Sequence, residues 1–310
     1  MAVTLLEASK INSGDVKRAA IIEMFAANSD VLRVLPFEDI IGGSFSYNQE
    51  GTLPGVAFRG FNEAYPESVG VLNPQTEVLR IAGGDLDVDK ALIKTRGPAV
   101  RTQHEGMKVK AMSLYLAGKV INGDSTIDPR QFDGLRVRIV GNQIIPANLV
   151  SPSNNSPLSL SALDKAIDLV DSPNALVMSK AMRRRLTAAA RTIAVGGDID
   201  FAEDEFGRRV TMYNDLPILI ADYDDTGARI IDYNEAGPAG SAVSTSIYVV
   251  NFGDGMVSGL QNGAMEVTDL GEINAKPVLR TRVEWLVGLA IMHGRAAARV
   301  WGITDAAVTA

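Results

Sequence analysis

The chain of 310 residues contains no cysteine and only two histidines, and both features restrict its chemistry. Without cysteine it has no disulfides, thiolate metal sites or cysteine nucleophiles, and this composition suits synthesis in a reducing compartment. No stretch approaches the roughly 18 to 20 apolar residues that span a bilayer, and residues 1–10 lack the features of a signal peptide. We therefore expect no membrane segment, and synthesis in the cytoplasm.

Positive charge is outnumbered, with 30 Lys and Arg residues against 37 Asp and Glu, so the formal net charge is -7 at pH 7. Proteins that read nucleic acid concentrate Lys and Arg to neutralise phosphates. Here the basic residues are scattered, apart from three arginines at 183–185 and a pair at 208–209. The triple arginine could hold phosphate, but ion pairs with acidic neighbours are the favoured interpretation. The charge argues against sequence-specific nucleic-acid binding, although an acidic protein can still enclose nucleic acid.

Motifs for catalysis are missing as well. Gly118-Lys119 lacks the rest of a P-loop, no glycine-rich dinucleotide motif follows a strand, and no G-x-S-x-G nucleophile elbow occurs. His104 and His293 stand in no metal-ligand or triad spacing. A hydrolase that uses either histidine with an acidic partner is kept only as a remote alternative. We predict no catalytic residue, no cofactor and no metal site.

Two acidic clusters contain enough carboxylates to be considered as cation sites. Asp85-x-Asp87-x-Asp89 begins like a calcium loop, but Lys90 and Arg96 occupy the positions where such a loop needs glycine and glutamate. A solvated loop, or charges at a subunit contact, is the favoured interpretation. A loose cation site in the second cluster, at 198–205, remains a minor alternative.

The stretch 37–97 is the most informative part of the chain. Aromatic and β-branched residues alternate there between turn residues, which is typical of strands. The turn residues are Gly42, Gly43, Gly51, Pro54, Gly55, Gly60, Pro66, Gly70, Pro74, Gly83 and Gly84. An isolated hairpin is at best marginally stable in water. We therefore expect this excursion to pack on another copy of the chain, as in a subunit of an assembly.

The remaining pattern mixes helices and strands without strict alternation, which predicts an α+β fold. Pro98 begins a long helix that Asn122-Gly123 ends, about 35 Å in length at ~1.5 Å per residue. Other predicted helices are 14–27, one through Val170 with a capping box at Ser161 and Asp164, and one capped by Ser179. Predicted strands are short ones within 124–150 (including Leu135, Val137 and Ile139), 175–178, a hairpin turning at Asn214-Asp215, 246–252, 256–260, 265–270 and 278–291, followed by a final segment at 295–303.

Several segments, taken in order, carry a family resemblance. They are Met1-Ala-Val-Thr-Leu-Leu-Glu-Ala, Leu35-Pro-Phe, Gly51-Thr-Leu-Pro-Gly-Val-Ala-Phe-Arg59, Gly83-Gly-Asp-Leu-Asp-Val-Asp89, Phe132-Asp-Gly-Leu135, Leu176-Val-Met-Ser-Lys-Ala-Met-Arg-Arg-Arg185, Arg280-Thr-Arg-Val-Glu-Trp285, Arg295-Ala-Ala-Ala-Arg299 and Gly302-Ile303. Over nearly its whole length the chain resembles the major capsid proteins of tailed bacteriophages, which have the Hong Kong 97-like fold.

The resemblance implies a division into an N-terminal arm (1–36), an E-loop hairpin (37–97), a peripheral domain with a long spine helix (98–150 and 262–292) and an axial domain (151–261 and 293–310). It implies hexamers and pentamers that form an icosahedral virion shell around packaged double-stranded DNA, with each E-loop lying across a neighbouring subunit. The residues expected at that contact are Tyr47, Phe58, Arg59, Phe61, Tyr65 and Arg80.

The resemblance also bears on partners. It implies a portal protein and a separate scaffold protein, and no sequence-specific contact with DNA. Some relatives join their shells through an E-loop lysine and an asparagine, but this chain has no lysine between Pro36 and Asp89. Shell stability would then come from buried area, salt bridges or a decoration protein. An encapsulin-type compartment, which shares the fold and holds cargo enzymes, is the alternative.

Overall fold

The structure is a computed structural model that describes residues 3–4, 29–191, 199–203, 209–273 and 276–309. The predicted helix at 14–27 and the side chains of the acidic cluster at 198–205 lie outside the described part. Within that part, no helix is long and apolar enough to cross a bilayer.

Helices and strands alternate irregularly along the chain. The helices are α1 (Asp30–Val34), α2 (Lys90–Arg96), α3 (Ala99–Asn122), α4 (Leu135–Arg138), α5 (Leu160–Asp168) and α6 (Lys180–Ala190), with a 3-10 turn at Gly141–Gln143. The strands are β1 (Val3–Thr4), β2 (Pro36–Asp39), β3 (Ser44–Thr52), β4 (Val71–Val78), β5 (Arg80–Asp89), β6 (Ile144–Pro146), β7 (Ala175–Met178), β8 (Ile199–Glu203), β9 (Arg209–Tyr213), β10 (Leu216–Ile220), β11 (Glu235–Ala236), β12 (Ala242–Val250), β13 (Val257–Gln261), β14 (Glu266–Ile273), β15 (Lys276–Ile291) and β16 (Ala297–Ile303).

The long helix α3 confirms the prediction made from Pro98 and Asn122-Gly123. Val109, Met112, Leu116 and Val120 form a buried apolar stripe along the helix, whereas Met107 on another side is 67% exposed. The helix therefore lies with one side on the core and its N-terminal half partly open to solvent.

Sheet 1 is built around the 16-residue strand β15. One edge of β15 pairs with β5, and the other pairs first with β14 and then with β13, which continues through β2 to β1. Trp285 of β15 is 3% exposed and its ring lies 4.9 Å from that of Phe37, between centroids. Trp285 is thus a core residue beneath sheet 1.

Sheet 2 has the order β6-β16-β12-β7-β10-β9-β8, with β11 paired to β12. Its central strands are covered on both faces, because alternate residues join different cores. Leu176 and Val249 pack in the cluster with α5 and α6, while Val177 and Tyr248 pack in the cluster with α3. This two-sided burial explains why β7 reads as an unbroken apolar run. The antiparallel ladders of both sheets also include parallel pairs, such as β7 with β10.

Local sequence signals were confirmed where a cap or turn decides the conformation. The Ser179 hydroxyl accepts from the backbone N–H of Met182 and so caps α6. Asn214 and Asp215 both have positive φ, 49° and 62°, between antiparallel β9 and β10, as the hairpin prediction requires.

Three local predictions were wrong. The alternating run at Leu135, Val137 and Ile139 is not a strand: α4 is a single helical turn in which the amides of residues 137 and 138 both donate to the Gly134 carbonyl. Helix α5 begins at Leu160 with Ser159 at its N-cap, not at a capping box with Ser161, and it ends at Asp168. The excursion at 37–97 also contains α2, a helix that was not predicted.

The domain boundaries stay predictions, but the strand pairings bear on them. Strand β13 was assigned to the axial domain, yet it pairs with β15 and β2 in sheet 1. Strand β5 was assigned to the E-loop, yet it pairs along its whole length with β15. We therefore restrict the name "arm" below to residues 41–78, which lie outside both sheets.

Candidate assembly surface

The arm is a β3–β4 hairpin that projects from sheet 1. The chain leaves the body after Ile40, whose N–H donates to the Gln261 carbonyl at 2.8 Å. It turns at Gly42, where φ is +102°, and returns at Leu79, whose N–H donates to the Gly43 carbonyl at 2.9 Å. Every residue from 51 to 76 is exposed. The hairpin is therefore supported by the body only at its base.

The tip of the arm, residues 53–70, presents apolar side chains to solvent. Phe58 and Phe61 are fully exposed, and Val56 is 95% exposed. Leu53, Tyr65 and Val69 add to the same surface. Contiguous apolar patches of this kind mark protein interaction sites, because burying them releases about 25 cal/mol per Å². The tip thus has the composition of a subunit contact.

Short-range polar contacts give the tip a defined shape. The Arg59 guanidinium lies 4.9 Å from the centre of the Tyr65 ring, and its Nη1 donates to the Glu63 carbonyl at 3.2 Å. The Glu63 carboxylate in turn accepts from the Gly60 N–H at 2.8 Å. These contacts close a loop of polar groups within the tip, so its aromatic residues are presented together.

The base of the arm is held by three side chains that we call the anchor: Tyr47, Glu77 and Arg138. The Glu77 carboxylate forms a two-point ion pair with the Arg138 guanidinium, and both side chains are largely buried. The Tyr47 hydroxyl donates to the Ile291 carbonyl at 3.0 Å and lies 3.3 Å from Glu77 Oε1. Arg138 Nε also donates to the Asp133 carbonyl at 2.7 Å. The anchor thus joins both strands of the arm to β15 and α4.

Burial and the nearby charges shift the pKa values in the anchor. Burial, followed by the negative charge of Glu77, raises the pKa of the Tyr47 phenol to about 12. For Arg138, burial alone would lower the pKa, but the hydrogen bonds and charge of Glu77 outweigh it and the pKa is raised. At neutral pH the phenol is therefore a proton donor and the guanidinium is charged.

The six residues expected at a subunit contact lie in three places. Phe58, Arg59, Phe61 and Tyr65 lie together at the tip, Tyr47 belongs to the anchor, and Arg80 begins β5 in sheet 1. Arg80 Nε is buried with no hydrogen-bond partner among the described residues. The structure thus groups four of the six at one exposed surface.

The acidic run at Asp85 and Asp87 belongs to a strand, so the loop interpretation is wrong. In the β5–β15 register Asp85 faces Arg282 and Asp87 faces Arg280, with Nε–Oδ1 distances of 2.7 and 2.6 Å. Hydrogen bonds from these arginines lower the pKa of both carboxyls. The charges are therefore paired across the two strands within one chain.

Arg185 and His293 also have partners within the chain. Arg185 pairs with Asp305 at 2.8 Å, which confirms the ion-pair interpretation for that member of the triple arginine. His293 Nδ1 accepts from the Arg295 N–H at 3.2 Å and lies 3.7 Å from Asp171. Within the ranges that the structure describes, no group of three or more His, Cys, Asp or Glu side chains could hold a metal ion.

Sequence reasoning missed the anchor. Glu77 and Arg138 are 61 positions apart, and Arg138 lies in the segment that was predicted to be a strand. No local pattern pairs the two, because their contact depends on how the arm leaves sheet 1.

This architecture is similar to that of known proteins. A family model described as Major capsid protein GP7 matches residues 13–156, which include the arm, α2 and α3. The holo-SrpI encapsulin complex of Synechococcus elongatus PCC 7942 superposes with a TM-score of 0.63 at 15% identity, covering 90% of this chain and 89% of that one. The chain has the Hong Kong 97-like capsid fold.

Two further solved structures match this capsid fold. The capsid of the native GTA particle has a TM-score of 0.61 at 15% identity, covering 88% of this chain and 90% of that one. A chain of Mycobacterium phage Adephagia has a TM-score of 0.59 at 14% identity, with coverages of 88% and 89%. A search of curated proteins finds no significant match. The α+β fold and the resemblance to tailed-phage major capsid proteins are confirmed.

Proposed function

We propose that the chain is the major capsid protein of a tailed phage. It assembles as hexamers and pentamers into an icosahedral shell that encloses double-stranded DNA in the virion, after synthesis in the cytoplasm of a bacterial host. The observation that carries this proposal is the exposed arm. Residues 51–76 are all exposed, although several of them are large and apolar.

In a closed lattice of identical subunits, the exposed apolar side chains of each arm can be buried against a neighbour. Each tip covers a neighbour and each body is covered in turn, so every subunit gains the same interface twice. Obligate interfaces commonly bury more than about 2,000 Å², and an extended hairpin provides a large area for its mass. The exposed tip is then the contacting surface, with Phe58 and Phe61 as its central apolar side chains.

The charge of the chain suits a wall around DNA. A net charge of -7 opposes tight binding to a polyanion, so the genome can be packed and released without sequence-specific contacts. Partners under this proposal are other copies of the chain, a portal protein and a scaffold protein, with a decoration protein as one source of added stability.

An encapsulin-type compartment is the second candidate, because the encapsulin complex superposes on this chain at a TM-score of 0.63. Both candidates require a shell, and they differ in its contents. Shells purified from the native source should contain double-stranded DNA if the chain is a capsid protein. Protein cargo without DNA would favour the compartment.

The arm itself is tested by shortening it. Thr52 and Val71 are paired across the hairpin, so residues 53–70 can be replaced by a two-residue Asn-Gly turn without disturbing β3 and β4. We expect the shortened chain to keep its circular dichroism spectrum and to form no closed shells by electron microscopy. Intact shells from the shortened chain would contradict the proposal.

Matched variants test whether losing apolar side chains at the tip lowers shell yield more than losing an exposed apolar side chain elsewhere. Phe58→Ser combined with Phe61→Ser should reduce shell yield strongly, because the central apolar area is lost. Ile127→Ser changes an apolar side chain outside the arm that is 82% exposed, and it should reduce the yield less. An equal loss in both variants would show that the tip has no special part in assembly.

A further inference from the structure

Among the described residues, the only ion pair between the arm and the body is that of Glu77 with Arg138. Of the hydrogen bonds that join described arm residues to the body, those of Tyr47 and Glu77 are made by side chains on the two strands. The others lie where the arm leaves the body: the Gly43 carbonyl accepts from the Leu79 N–H, and the Gly42 carbonyl accepts from Asn262 Nδ2. Beyond these residues, the hairpin from 51 to 76 is exposed. The direction of the tip therefore depends on a few contacts at its base.

Packing at the base would hold the arm near the body without defining its angle. Phe45 and Tyr47 rest on a small apolar cluster of Ile40, Leu79, Leu260 and Ala290. Dispersion and burial are weakly directional, so a hairpin resting on four side chains can still tilt about Gly42 and Gly43. A two-point guanidinium–carboxylate pair, in contrast, is planar and fixes orientation as well as distance.

Arg138 is itself held rigidly. Its Nε donates to the Asp133 carbonyl at 2.7 Å, which leaves the two terminal nitrogens for Glu77. It lies in α4, next to Leu135, whose side chain is completely buried. The single turn of α4 thus fixes the position of the guanidinium. The segment was predicted to be a strand, and its helical conformation is what directs Arg138 toward Glu77.

We propose that Arg138 is a positioning residue that sets the angle of the arm through Glu77 and Tyr47 before a neighbouring subunit is met. Its importance for assembly rests on the proposed capsid function, whereas the angle itself is a property of the single chain. A preset arm loses less conformational freedom when it docks, so the anchor should favour correct subunit contacts over irregular aggregation.

The angle can be measured in unassembled subunits. The chain has no cysteine, so two introduced cysteines are the only sites for spin labels. Glu67→Cys places one label at the exposed tip, and Ser161→Cys places the other on the exposed side of α5. Electron–electron resonance then reports the distribution of distances between tip and body. We expect a narrow distribution for the otherwise unchanged chain and a broad one after Glu77→Gln.

Three variants distinguish positioning from general stability. Arg138→Lys keeps the charge but loses the two-point geometry, so the distribution should broaden while the thermal unfolding midpoint changes little. Tyr47→Phe removes the phenol without leaving a buried charge, and it tests the anchor even if Glu77→Gln fails to fold. Asp305→Asn breaks the Arg185 ion pair far from the arm and should leave the distribution narrow.

Amide exchange gives an independent measure at the base. The N–H groups of Ile40 and Leu79 should exchange roughly tenfold faster in Arg138→Lys than in the unchanged chain, and Asp305→Asn should not accelerate them. Unchanged distances and exchange rates in both Arg138→Lys and Tyr47→Phe would overturn the proposal. Because these measurements need no shell, they separate failure of the anchor from failure of the capsid function.

Discussion

At the scale of single residues, close packing decides which side chains are tolerated. Gly259 of β13 lies beside Phe37 of β2, and a Cβ at position 259 would stand 2.5 Å from two carbons of the Phe37 ring. The ring is 2% exposed and packs against Trp285, so it has no free space to move into. Glycine is required here by the close approach of a ring, and no turn is involved.

We expect Gly259→Ala to destabilise the subunit by about 1–3 kcal/mol, the usual cost of overpacking a core. Urea unfolding of the unassembled subunit measures this change. Gly253→Ala is the control, because a Cβ there would meet only the Asn251 side-chain oxygen, at 3.4 Å. Equal stability of the two variants would show that Phe37 can move aside.

At the scale of elements, a turn or cap could be predicted when its own residues determine it. Asn214-Asp215 and Ser179 were both identified correctly because their conformations depend on neighbours within a few positions. The run at Leu135 to Ile139 was misassigned because its alternation also fits one helical turn. There the backbone N–H groups of residues 137 and 138 donate to the Gly134 carbonyl, so they are not available to pair with a neighbouring strand.

The turn between β9 and β10 provides a prediction at this scale. Asp215 has φ of 62°, a left-handed conformation that glycine adopts without strain and that costs other residues roughly 1–2 kcal/mol. Asp215→Gly should therefore be neutral or stabilising, whereas Asp215→Val should destabilise the subunit by about 1–2 kcal/mol. Thermal unfolding of the two variants compares them directly, and a more stable valine variant would contradict this account of the turn.

At the scale of the whole molecule, the proposed capsid function makes the arm the non-covalent connection between one subunit and the next. The arm contains no lysine, and none occurs between Pro36 and Asp89. The arm therefore offers no lysine amine of the kind that some relatives use to form a covalent bond between subunits. Under the proposed function, a shell of this chain is held by buried area and ion pairs across many repeated interfaces.

We expect purified shells to separate completely into single chains when boiled in detergent. Electrophoresis should show one band at the mass of the chain. Bands at multiples of that mass would show a covalent bond formed by other residues. The variant that combines Phe58→Ser and Phe61→Ser should form few shells. Those that form should separate at a lower temperature because less apolar area is buried.

The amino-acid sequence by itself determined the elements whose conformation is local: α3 from its proline start and apolar stripes, β7 from its apolar run, the cap at Ser179 and the hairpin turn. It also determined that the arm carries more apolar surface than it can bury alone. Only the tertiary structure decided that Asp85 and Asp87 face Arg282 and Arg280, and that Glu77 meets Arg138. Those contacts join residues between 61 and 197 positions apart. Side chains so far apart are brought together by strand register and by the path of the chain, which no local pattern encodes.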